Sequence, residues 1–159
     1  MQNTPALLLE QNLDATFGAG KTRVEVRAVG GTTLRELVAG TDHLNKPWPQ
    51  SVNAYIVVIN HGISDLTHDG DLAGYKANLA LVARTRDVIF ETPNKVQQWD
   101  LAPYAQAMRY RPAFADTYAI LSLSHLSDWT HPTQAGYEFI VKTSLAPIVA
   151  SKVSPLLCS

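Results

Sequence analysis

The run Tyr55-Ile56-Val57-Val58-Ile59 constrains this chain most, because five consecutive apolar, mostly β-branched residues leave no polar face to turn toward water. A strand of that kind needs cover on both sides, as in the interior of a parallel sheet with helices on each face. Polar and flexible residues follow at once, Asn60-His61-Gly62, at what would be the strand's carboxyl end.

The flanking patterns supply the cover. Thr4 and Pro5 read as helix cap and first helical position, Leu9, Leu13 and Phe17 recur at helical spacing, and Gly18 reads as a stop, so a helix is expected over 4–17. From Arg23 to Val29, charged Arg23, Glu25 and Arg27 alternate with Val24, Val26 and Ala28, the pattern of a half-buried edge strand. Thr33 and Glu36 form a capping box for a short helix closed by Gly40, and a loop rich in Pro47, Trp48 and Pro49 follows. Further on, helices are expected at 71–85 and 101–110 and strands at 87–92 and 117–123. A final helix is expected at 133–151, bent by Pro147. Strands alternating with helices predict a parallel α/β sheet in a single domain over 1–159. In such sheets ligands bind beyond the carboxyl ends of the strands.

Composition excludes several classes. A formal net charge of -1 with 13 scattered Lys and Arg gives no basic footprint for nucleic acid or anionic membranes. With 46% hydrophobic residues in 159, the chain can bury about two-thirds of its unfolded surface. Cys158 is alone, which excludes an internal disulfide. No stretch reads as a membrane span, and Leu7-Leu8-Leu9 is too short for the apolar part of a signal peptide, so a soluble protein without a legible address is expected.

The chemistry concentrates in Ser127-Asp128-Trp129-Thr130-His131-Pro132, where a carboxylate precedes an imidazole by three residues just ahead of a helix. In hydrolases a histidine takes the nucleophile's proton, and a carboxylate holds the ring in the right tautomer. Together with Gly62-Ile63-Ser64-Asp65 after the apolar run, this stretch resembles the SGNH (GDSL) family of serine esterases and acyl hydrolases. The family's last block ends in Asp-xx-His, matched by Asp128 and His131. Its third is Gly-x-Asn-Asp, matched by Gly62 to Asp65 with Ser64 in place of asparagine. Its second centres on an oxyanion glycine that Gly31 matches, with Gly30 as the alternative alignment. The resemblance implies a three-layer, flavodoxin-like α/β/α fold, an ester substrate, no cofactor, His131 as base, Asp128 as its orienter, and Gly31, Gly62, Ser64 and Asp65 around the substrate oxygen.

The family's first block, Gly-Asp-Ser, has no counterpart, since Gly70-Asp71-Leu72 lacks a hydroxyl and begins a helix. The nucleophile and the strand that carries it in the family are therefore missing. That strand would lie between the counterparts of residues 23–29 and 54–60. The gap is expected to be closed by direct pairing of these neighbours or by a strand from another copy, in a homo-oligomer or a strand exchange. The chain accordingly reads as a truncated esterase relative or as a non-catalytic binding or structural module. Ser64 also offers a replacement nucleophile, and Trp48, Trp99 and Trp129 could line an acyl or sugar pocket; the plainer readings are Asp128 as a loop cap, Ser64 and Gly31 as turn residues, Asp65 as a loop brace, and the tryptophans as core. His61, Asp65 and His68 cluster in sequence, but no metal-ligand spacing supports a metal site.

Overall fold

The computed structural model describes residues 4–50, 52–84 and 87–157; Cys158 lies outside them. The apolar run forms β1 (Ile56–Ile59), which pairs in parallel with β2 (Asp87–Glu91), and β2 pairs in parallel with β3 (Phe114–Ala115), giving the order β1-β2-β3. The central strand sends alternate side chains to opposite faces. Val88 and Phe90 enter one apolar cluster with Leu34, Leu79, Leu101 and Met108, while Ile89 enters a second with Leu9, Leu13, Val141 and Val149. The β1 residues divide likewise, Val57 to the first cluster and Ile56 and Val58 to the second.

Helices build both clusters. On the first side lie α2 (Leu34–Ala39), α3 (Leu72–Ala83) and α4 (Ala102–Arg109). The second side holds α1 (Pro5–Phe17) and a continuous helix made of α6 (Gln134–Ile140), a π-helical turn (Val141–Leu145) and α7 (Ala146–Leu157). The capping signals act as read: Thr4 accepts from the Leu7 amide, and the Thr33–Glu36 box closes in both directions. Gly40 ends α2 with φ +70°, where a side chain would run into the Pro47 backbone. Asp71 caps α3 through the Gly74 amide. The last helix continues past Pro147 to Leu157. The π turn ends two residues before that proline, whose missing N–H breaks the regular pattern. The helix is 24 residues long and its most apolar 18-residue stretch has a mean hydropathy of 1.2, long and apolar enough to cross a membrane. Yet its buried Val141, Leu145, Ala146 and Val149 pack in the cluster that α1 builds.

Two expected strands are corrected. Residues 23–29 form no strand: the Val24 amide donates to the Glu10 carboxylate (2.6 Å), and the Arg27 carbonyl accepts from the Asn45 side chain (3.0 Å). Among the described residues no backbone hydrogen bond joins this segment to β1, so direct pairing does not close the gap. A strand needs a neighbour, and the sheet ends at β1. At 117–123 the chain instead makes a short helix, α5 (Thr117–Ile120), and the strand falls earlier, at β3. Asp116 decides this: it caps α5 at the Ala119 amide while Arg109 grips its carboxylate with two 2.9 Å bonds. Side-chain capping there outweighs the β preference of Thr117, Tyr118 and Ile120.

Phe90, 1% exposed at the centre of the sheet, sets the scale of core packing. Phe90→Ala is expected to cost about 3–5 kcal/mol in urea unfolding. Val26→Ala, at a side chain 58% exposed, should stay within about 0.5 kcal/mol.

Candidate active site

The Asp128–His131 pair sits on a tight hairpin between β3's downstream helices and α6. Leu126 and Pro132 form an antiparallel bridge, the Ser127 amide donates to the His131 carbonyl (2.8 Å), and the Ser127 hydroxyl donates to the same oxygen (3.0 Å). Thr133 then caps α6 at the Gly136 amide (3.0 Å). Position 136 must be glycine, because a Cβ there would stand 2.8 Å from the His125 carbonyl oxygen.

Within the hairpin one Asp128 oxygen accepts from the Thr130 and His131 amides, each at 2.7 Å, and the other lies 2.8 Å from His131 Nδ1. These bonds, the His131 amide foremost, pull the Asp128 carboxyl down to about 2. An ionised carboxylate only accepts, so the Nδ1 facing it carries the proton and neutral His131 presents a basic Nε2. Both side chains are open to solvent, at 69% and 47% exposure for His131 and Asp128. Asp128 therefore both caps the loop and orients the ring.

The other four assigned residues gather where β1 ends. Gly62 has φ +137°, and a Cβ there would come within 3.0 Å of Pro93 Cγ, so the loop after β1 is fitted against the loop after β2. Gly31 has φ +78° and open space where a side chain would stand. Ser64 begins a π-helical turn (Asp65–Asp69) and makes no capping bond with its hydroxyl. Asp65, 3% exposed, accepts from the Leu34 amide at 2.9 Å and so ties this turn to the start of α2, just beyond Gly31.

His61 lies 3.9 Å from Asp65. Burial pushes His61 down to about 4 and Asp65 up to about 6, against the backbone bonds that oppose each shift. Burial thus disfavours the charged form of both groups, so their 3.9 Å contact is one between neutral partners near pH 5. The outer Asp65 oxygen is buried without a hydrogen-bond partner among the described residues. Gathering of three or more metal-ligating side chains is not found among the described residues either.

A bridge joins the two groups. Asn94, 8% exposed and next to Pro93, donates to the Thr130 carbonyl (2.8 Å) and to the Lys95 carbonyl (2.9 Å), and the Gln97 amide donates to Trp129 (3.1 Å). The dyad is thus anchored to the same strand-end loop that packs on Gly62. Gly31, Gly62, Ser64 and Asp65 do not line the cleft beside His131. That cleft, about 330 Å³, is walled by Thr4 and Pro5 at the start of α1 and by Ser127, Thr133 and Tyr137.

Sequence reading missed Asn94, Glu91 and Thr4. Glu91, at the carboxyl end of β2, is buried beside Asn60 and accepts from the Thr117 hydroxyl at 3.0 Å, and burial raises its pKa. The signal available was polar Glu91 and Asn94 bracketing the end of an apolar strand. Of the tryptophans only Trp48 is core, at 7% exposure; Trp99 and Trp129 are open at 41% and 61%. No protein-family model, curated protein or solved structure matches this chain.

Removing the bridge should loosen the dyad. Asn94→Ala is expected to cost about 1–2 kcal/mol and to speed amide exchange at Thr130 and His131, read by hydrogen exchange. The His61–Asp65 pair gives a pH signature. Raised Asp65 makes stability fall as pH rises from about 4 to about 6, while lowered His61 makes it rise from about 4 to about 6.5, so the two offset. Asp65→Asn keeps the acceptor for Leu34 and removes only the falling part. Urea midpoints of the variant should rise with pH across that interval more steeply than those of the parent.

Proposed function

We propose that this chain is an SGNH-type α/β domain of the flavodoxin-like, three-layer kind, descended from hydrolases of acyl or carbohydrate esters. It carries the base-and-orienter half of the catalytic apparatus. One observation carries the reading: the 2.8 Å bond from His131 Nδ1 to an Asp128 carboxylate held ionised by backbone amides. The resemblance would give Gly31 and Ser64 the substrate oxygen, but both belong to the strand-end cluster and do not line the cleft beside His131.

In this reading His131 Nε2 removes a proton from an attacking oxygen as that oxygen bonds to the acyl carbon. The proton passes to the departing alkoxide as the ester C–O bond breaks. Asp128 stabilises the imidazolium between the two steps. Among the described residues no hydroxyl is hydrogen-bonded to His131 Nε2, and water is the nucleophile open to an exposed ring.

That same observation favours a second reading, a non-catalytic binding module that keeps the fold and the cleft. Ser64 in place of the family asparagine supports it too, because loss of one oxyanion donor costs about a hundred- to a thousandfold.

Turnover of p-nitrophenyl acetate separates the readings. We expect slow hydrolysis without an initial burst, a drop of about a hundredfold in His131→Ala, and no serine labelled by a fluorophosphonate. A rate unchanged in His131→Ala overturns the hydrolase reading in favour of the binding module. A labelled serine overturns water as the nucleophile and names the residue that attacks.

A further inference from the structure

With Gly31 and Ser64 outside the cleft beside His131, the donor for a substrate's carbonyl oxygen has to come from the cleft's own walls. Attack on an ester carbonyl builds negative charge on that oxygen, and a hydrogen-bond donor aimed at it is worth a large part of the rate.

Most polar groups on the walls are already engaged. The Ser127 hydroxyl donates to the His131 carbonyl (3.0 Å), and the Gln134 amide group donates to the Glu138 carboxylate (3.0 Å). Thr4 and Thr133 use their hydroxyl oxygens as helix caps, accepting from the Leu7 and Gly136 amides, which holds each side chain against its own helix. The Thr133 amide is spent on the His125 carbonyl (2.7 Å).

Tyr137 differs from all of these. Its backbone is fixed in α6, with the amide bonded to the Thr133 carbonyl (2.9 Å), and its side chain packs on the apolar cluster that α1 and α7 build. Among the described residues no hydrogen bond engages its hydroxyl. Burial, then the Glu91 and Asp128 carboxyls, raise the pKa of this phenol, so it holds its proton. Asp128 is the same carboxylate that lies 2.8 Å from His131 Nδ1, and its influence on the phenol puts that hydroxyl on the dyad's side of the ring. A phenol, with an ordinary pKa of about 10, is also a stronger donor than the threonine hydroxyls.

We propose, resting on the hydrolase reading of the cleft, that the Tyr137 hydroxyl is its oxyanion donor. As the water oxygen bonds to the acyl carbon, His131 Nε2 takes the water's proton and the C=O pair moves onto the carbonyl oxygen. Tyr137 donates a hydrogen bond to that oxygen and keeps its own proton. The pair returns as the ester C–O bond breaks, and the imidazolium gives its proton to the leaving oxygen.

Tyr137→Phe removes one oxygen and keeps the ring on the cluster. The full chain, this variant and His131→Ala are compared on p-nitrophenyl acetate and on its thiono analogue, in which a weakly accepting sulfur replaces the carbonyl oxygen. On the acetate, kcat of Tyr137→Phe is expected to fall about a hundredfold with KM within about twofold of the parent. On the thiono ester the loss is expected to stay below about tenfold. An unchanged kcat on the acetate in Tyr137→Phe, with His131→Ala still impaired, overturns the proposal and leaves the base in place. Equal losses on the two esters overturn it as well, because a packing role does not distinguish oxygen from sulfur. A parent rate no higher than that of His131→Ala overturns the hydrolase reading itself, and the donor with it.

Discussion

The parallel register of β1 against β2 is the constraint on which the rest of the molecule depends. With Val58 opposite Ile89 and Ile59 opposite Phe90, both strands end at the same level, and the loops that follow them meet as Gly62 against Pro93. A slip of one residue would turn Phe90 from the α3–α4 side to the α1 side and send Ile89 the other way. It would also pull Asn94 out of reach of Thr130, and the hairpin that carries His131 hangs from that contact. The geometry of the candidate site is therefore inherited from the hydrophobic packing of Ile59 and Phe90 just below it.

Polar groups buried at this end of the sheet do the fastening. Asp65 reaches across to the first amide of α2, Glu91 holds Thr117, and Thr92 accepts from the Tyr118 amide at 2.8 Å. Each ties a strand-end segment to the start of a helix distant in the chain, α2 or α5, where helix termini leave donors without helical partners. Burying carboxyls costs free energy, and the raised pKa values of Asp65 and Glu91 record that cost. The fold accepts it because irregular loops over a sheet end have few other ways to satisfy their backbone.

What the sequence made legible followed from local signals. Five apolar residues in a row announced β1, and Thr33 with Glu36 announced α2, since both depend on near neighbours. Residues 23–29 alternate as a strand should, but pairing is a property of the neighbour, and nothing in those seven residues reports that the neighbour is out of bonding reach. Thr117 to Leu123 failed for the opposite reason: Arg109, eight residues upstream, fixes Asp116 as a cap, and β propensity then has no vote. At the site, Asp128 and His131 are three apart and could be paired on sequence alone. Asn94 reaches Thr130 across 36 residues, a contact no periodicity encodes.

The π turn at Val141–Leu145 has a geometric consequence. One extra residue in a turn advances everything after it around the helix axis, so the rod keeps its direction while its facing changes. Tyr137, before the turn, borders the cleft beside His131 and packs against the same apolar cluster as Ala146 and Val149 after it. A single helix thereby keeps residues before, within and after the turn on one apolar cluster, with the turn acting as the splice that re-phases its two halves onto the same neighbour.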